Sequence, residues 1–138
     1  MAAYNKFNCF VKDLIEKKHN FASDTFKIAL TNTPPSAANT VLADITQIAA
    51  GNGYVTGGNA MTITDSLSGG IAKVSGANVV FTAAGGSIGP FRYAVFYNST
   101  AVGGPLIAWF DYGSSVTLNN TETVTVAPDP TNGVFQIS

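Results

Sequence analysis

Apolar residues recur at two different periods along the chain. Near the N-terminus Phe7, Phe10, Val11, Leu14 and Ile15 stand at i, i+3, i+4, i+7 and i+8, the stripe of an amphipathic helix. Lys6, Lys12, Asp13, Lys17 and Lys18 fill the rest of the circumference, so the pattern predicts a helix over Lys6–Lys18. An extended arm is the alternative, because Phe7-Asn8-Cys9-Phe10-Val11 is also tolerable as a strand.

From Asp24 onward the period is two. Asp24–Thr31 sets Phe26, Ile28 and Leu30 against Thr25, Lys27 and Ala29, a half-buried strand. The Pro-Pro pair makes Asn32–Asn39 a loop, since proline donates nothing to a ladder. Thr40–Ile48 fits a short helix or a strand, and Ala49–Asn59 is turn material. Short strands are expected at Met61–Thr64 and Ile71–Val74, around Ser68-Gly69-Gly70, and at Asn78–Thr82. Ala83–Pro90 reads as a Gly-rich loop. Phe91–Tyr97 and Leu106–Tyr112 are apolar on both faces, which predicts central, adjacent, antiparallel strands joined through Asn98–Pro105. Val116–Leu118, Glu122–Ala127 and Val134–Ile137 complete the set.

Many short strands with frequent turns predict a mainly β fold, a single antiparallel β-sandwich of jelly-roll or Ig-like type with a short N-terminal helix. The expected division is an N-terminal helix or arm over residues 1–22 and a β-sandwich domain over 23–138. Phe26, Ile28, Leu30, Val80, Tyr93, Val95, Ile107 and Trp109 are the expected core.

Composition narrows the function classes. Of 138 residues, 46% are apolar and 11% charged, against about 25% charged in an ordinary domain, which excludes disorder. A net charge of −1 argues against nucleic acid as a partner. Cys9 is alone, so neither an internal disulfide nor a cysteine zinc site is available. The N-terminal residues lack the uninterrupted apolar run of a signal peptide, and no run approaches a membrane span, so synthesis in a cytoplasm without membrane insertion is expected. Between Ile45 and Phe110 only Asp65, Lys73 and Arg92 are charged. A stretch this poor in charge suits a surface covered by neighbours, or an extracellular type of β-sandwich.

Catalytic chemistry finds little to build on. His19 is the only histidine and reads as a C-terminal helix residue that caps carbonyls, rather than as a triad member. The carboxylates follow no metal or glycosidase spacing, and Asp111 reads as a hydrogen-bonding residue at a strand end. Gly51-Asn52-Gly53 and Gly85-Gly86-Ser87-Ile88-Gly89-Pro90 lack the Lys-Ser/Thr of a phosphate loop and read as turns. Trp109, Tyr93, Tyr97 and Tyr112 could form a sugar-stacking platform, but aromatics on the strongest strands serve more often as core. The expected catalytic, metal and cofactor sets are therefore empty.

Several segments together resemble a family of small structural proteins of tailed bacteriophages. They include Tyr4-Asn5-Lys6-Phe7-Asn8, Ser23–Asn32, Asn39–Ile48, and Gly51-Asn52-Gly53-Tyr54 with Gly57-Gly58. Arg92–Asn98, Pro105–Gly113 and Gly133-Val134-Phe135 continue the likeness over nearly the whole chain. The resemblance implies a non-enzymatic capsid decoration or cement protein on the virion exterior, made in the host bacterial cytoplasm. Its implied partners are the major capsid protein and further copies of itself. Tyr4, Phe7, Phe10, Val11 and Leu14 are the candidate contact residues. A tail or baseplate component, including a receptor-binding one, is the alternative, followed by a carbohydrate-binding module.

Overall fold

The computed structural model describes residues 3–138; Met1 and Ala2 of the 1–22 segment lie outside them. The described chain runs β1 (Ala3–Lys6), α1 (Cys9–Ile15), β2 (Phe26–Thr31), a 3-10 turn (Leu42–Asp44), β3 (Asn59–Met61), β4 (Ile63–Ser68) and β5 (Ile71–Gly76). It continues through β6 (Val79–Thr82), β7 (Ile88–Asn98), β8 (Leu106–Leu118), β9 (Thr123–Val126) and β10 (Phe135–Ile137). The fold is mainly β, with antiparallel sheets and one short helix near the N-terminus.

The main layer is a five-stranded sheet in the order β1-β8-β7-β2-β3. Its centre is the β7–β8 pair, with Val95 opposite Trp109 and Phe96 opposite Ala108, as the two-sided apolar character predicts. One face carries Phe26, Ile28, Leu30, Ala94, Phe96 and Phe110. It packs on Val79 and Phe81 of β6, Val126 of β9 and Val134, brought by a β6-β9 pair and a β10-β5-β4 sheet. The other face, with Ala29, Val95, Tyr97 and Leu106, is covered by Phe7, Leu42 and Ile45. Ala29 and Thr31 are therefore wholly buried, where a half-exposed strand face was expected.

A bulge serves both cores. The pairing steps from Phe96↔Ala108 to Tyr97↔Leu106 and leaves Ile107 as the extra residue. Leu106 then joins the core beneath Tyr97 while Ile107 joins the larger one.

The helix is shorter than Lys6–Lys18. Lys17 adopts a left-handed φ of 66°, the Lys18 N–H reaches the Asp13 carbonyl at 2.9 Å, and the Lys17 N–H reaches that of Leu14 at 3.2 Å. This Schellman closure ends α1. It also corrects the reading of His19, which lies past the cap, buried, rather than on the helix end. On the N-terminal side Ala3–Lys6 pairs with β8, Tyr4 opposite Phe110, so this segment is an edge strand and not the start of the helix.

Other boundaries shift for tertiary reasons. β7 begins at Ile88, inside the expected Ala83–Pro90 loop, because Ile88 pairs with Leu118. Val116–Leu118 is no separate strand but the end of β8. Met61 belongs to β3, and the following strand runs on to Ser68, two-residue Gly69-Gly70 turning the chain at φ 57° and 80°. Val80 is half exposed, not core, since its neighbours Val79 and Phe81 take the inward side of β6; Trp109 is only partly buried.

Candidate functional site

The five candidate contact residues separate by depth. Phe7 is fully buried, its ring 4.6 Å from that of Trp109. Phe10 is buried against Phe135 and Phe21. Both serve the protein's own packing. Leu14 is partly buried, Tyr4 and Val11 are nearly half exposed, and Ile15 stands in solvent at 85% exposure. The stripe thus faces two ways: a seven-residue helix lying on a sheet covers only one narrow line of positions.

Tyr4 stands at a groove. Its ring meets that of Phe110 edge-on at 5.6 Å. Beyond them the segment from Ala127 to Gln136 does not close over the main sheet, leaving a depression of about 480 Å³. A second, of about 260 Å³, lies on the other side of Phe110 and Ala127 and reaches Tyr112, Pro128 and Pro130. Phe110, Val134 and Phe135 make the floor of the first apolar.

The rim is polar, and its groups bond one another. Asp129 Oδ1 accepts the N–H groups of Thr131 at 2.8 Å and Asn132 at 3.0 Å, and Oδ2 accepts from Asn132 Nδ2 at 3.1 Å. These bonds, the Asn132 amide foremost, hold the Asp129 carboxyl below the usual range. Gln136 Nε2 donates to the Asn132 carbonyl at 3.2 Å. The Asp129 carboxylate is thus engaged within its own loop, beside a floor that is apolar.

A second exposed feature is the β4–β5 hairpin. Leu67 and Ile71 flank its turn at 77% and 42% exposure. Ile137 pairs with Ala72, which pairs with Leu67, so three apolar side chains lie in a row on one face of the β10-β5-β4 sheet. Phe135 and Val74 share that face and turn into the body. Asp65, opposite Val74, stands on the same face beside Leu67, so the exposed apolar row is flanked by one carboxylate on β4.

The other candidate groups have structural surroundings. Cys9 Sγ sits near the carbonyls of Leu106, Asn39 and Thr40 at 3.5–3.7 Å, and burial, aided by Asp13, pushes its thiol up. Tyr93 and Tyr97 are core, and Asp111 lies within β8, bonded to Arg92. Among the described residues no three of His, Cys, Asp and Glu come together as metal donors would.

Sequence reasoning pointed to Tyr4 but not to Phe110, Phe135 or the hairpin tip as its partners in an exposed apolar surface. Tyr4 and Phe110 meet only through the β1–β8 register, for which the sequence carries no local signal. Compared with known proteins, the chain matches no family model, no curated protein and no solved structure.

Proposed function

We propose that the chain is a bacteriophage virion structural protein, a decoration or cement protein that binds the outside of the assembled head. Its partners are the major capsid protein and copies of itself, and it carries no catalytic role. The observation that carries this reading is the apolar groove beside Tyr4 together with the exposed row Ile137, Ala72 and Leu67, on a chain with three charges between Ile45 and Phe110. Apolar surface of this kind in a charge-poor setting fits protein contacts. A protein that binds only the intact shell stabilises it by mass action.

The test is addition of the purified protein to undecorated shells, with quantification of the protein in whole virions and in isolated tails. Saturable binding to shells, with a copy number matching the capsomers, is expected. Recovery at low copy in tails, with no shell association, supports the tail or baseplate reading instead.

A further inference from the structure

We propose that His19 is the latch of an acid-sensitive clasp: its neutral ring holds the segment between α1 and β2 on the core, and its imidazolium releases that segment. The inference is independent of whether the chain binds a shell.

The argument starts from Asn98, which is wholly buried. Its Oδ1 accepts the N–H groups of Thr100 at 2.9 Å and Ala101 at 3.2 Å, which fixes which way the amide points. Nδ2 therefore faces the segment. It donates to Asp24 Oδ2 at 2.8 Å and lies 3.2 Å from His19 Nδ1, with the Lys18 carbonyl at 3.4 Å. Of the two Nδ2 hydrogens one goes to Asp24, and the other, closer to His19 than to the Lys18 carbonyl, makes Nδ1 its acceptor in the arrangement proposed. The imidazole is then neutral, with its proton on Nε2.

Nε2 is buried and has no hydrogen-bond partner. The ring lies among those of Phe10, Phe21 and Phe26, at centroid distances of 5.6, 5.8 and 6.2 Å. A proton on Nδ1 would set N–H against N–H and place a charge in apolar packing.

The charged groups facing the ring are Asp13 and Lys18 at the end of α1, and Asp24 on the segment itself; β7 presents Asn98 and β2 presents Phe26. Asp13 is paired with Lys18 at 2.9 Å, and Asp24 is held by Asn98 and by the Asn20 N–H at 3.0 Å. Burial opposes the imidazolium more than the two carboxylates favour it, and the His19 pKa is lowered. The sign follows. As pH falls below the ordinary histidine value of about 6.5, the open segment takes up a proton that the closed one refuses, so closure weakens.

Release has a consequence for the surface. Phe21 stacks on Phe26 at 4.6 Å and abuts Phe135 at 5.0 Å. Phe135 lines the groove, so an opened segment widens the apolar surface there. Lys17, already left-handed, stands at the start of the segment as its hinge.

The experiment follows the His19 ring by NMR and amide hydrogen exchange over residues 19–25, from about pH 7.5 to about pH 5. The ring should titrate below the ordinary value, and protection over 19–25 should fall up to about tenfold per pH unit while the central β7 and β8 amides hold. His19→Gln, neutral but able to accept from Asn98, should keep its protection in acid. A ring that titrates at or above the ordinary value overturns the proposal, as does segment protection unchanged across the parent's titration. Equal acid loss in His19→Gln also overturns it and assigns the effect to Asp13 or Asp24. Should that variant fail to fold, the parent's titration and exchange decide alone.

Discussion

Arg92 on β7 and Asp111 on β8 meet at two points, Nε to Oδ1 at 2.8 Å and Nη2 to Oδ2 at 3.2 Å. Oδ1 also accepts the Gly113 N–H at 2.7 Å. The same carboxylate thus closes the excursion over residues 112–115, where the pairing jumps from Tyr93↔Asp111 to Phe91↔Val116. The Arg92 guanidinium first, and the Gly113 amide second, hold the Asp111 carboxyl below its usual range. Its contribution is full above the ordinary aspartate value and is lost as pH falls through the lowered one. Asp111→Ala should lower the melting temperature at neutral pH more than Asp111→Asn, whose amide oxygen still accepts from Gly113. Both variants should show a flatter acid limb below about pH 4. Melts of Asp111→Ala that match the parent at neutral pH would contradict this.

Neighbouring positions should differ sharply in cost. Phe81 on β6 is fully buried, and Phe81→Ala should destabilise by about 3–5 kcal/mol in denaturant titrations. Val80, half exposed beside it, should tolerate alanine within about 0.5 kcal/mol. Equal losses at the two positions would place both side chains of β6 inside.

Two glycines predict different outcomes. Gly58 has φ +78°, and a Cβ there would fall on the Ile28 carbonyl of β2, so Gly58→Ala must displace backbone and should destabilise well beyond the left-handed penalty alone. Gly69 has φ +57° with open space around it, so Gly69→Ala should cost only the left-handed penalty of about 1–2 kcal/mol. Soluble yield and thermal melts separate the two.

Lys17 holds a left-handed conformation that glycine adopts freely. Lys17→Gly should therefore stabilise the protein by about 1 kcal/mol at neutral pH. A loss of stability would show that the Lys17 side chain makes a contribution larger than its backbone cost.

Alkaline pH should weaken the fold through Tyr54. Its buried hydroxyl accepts the Leu30 N–H at 3.1 Å and donates to Gln47 Oε1 at 2.7 Å. Burial pushes its pKa up to about 12 from an ordinary 10.0. The unfolded chain loses the proton first, so the folded state binds more protons between those values and stability falls as pH rises through them. Its share of the effect is about 2–3 kcal/mol, and Tyr54→Phe should make the alkaline slope shallower without removing it, since Tyr4, Tyr97 and Tyr112 are raised as well, while costing stability at neutral pH. A Tyr54→Phe protein with the parent's alkaline slope would assign the effect to Tyr4, Tyr97 and Tyr112.

Binding to shells, if carried by the groove and hairpin row, should change little between low and moderate salt, since screening acts on exposed charge. Tyr4→Ser with Leu67→Ser should weaken that binding more than their effect on the melting temperature accounts for. Binding that collapses with added salt would point to a charged contact instead.

Period and composition by themselves determined the mainly β class, the central pairing of Phe91–Tyr97 with Leu106–Tyr112, and the central part of the core, Phe26, Ile28, Leu30, Tyr93, Val95 and Ile107. These depend on alternation and on two-sided apolar runs, which act over a few residues. Tertiary structure decided the rest. Val80 and Val79 are alike in sequence, and only the pleat of β6 chose Val79 for the interior. Phe7 and Ile15 belonged to one apparent stripe, yet Phe7, held between β1 and α1 by the β1–β8 pairing, went under Trp109, while Ile15 at the end of α1 went to solvent. His19 became a buried ring because Asn98, far away in sequence, met it from β7. The groove has the same origin: Tyr4, Phe110 and Phe135 adjoin it only after β1 pairs with β8 and the chain's last strand pairs with β5. Such contacts are set by register between distant segments, and no local pattern encodes a register.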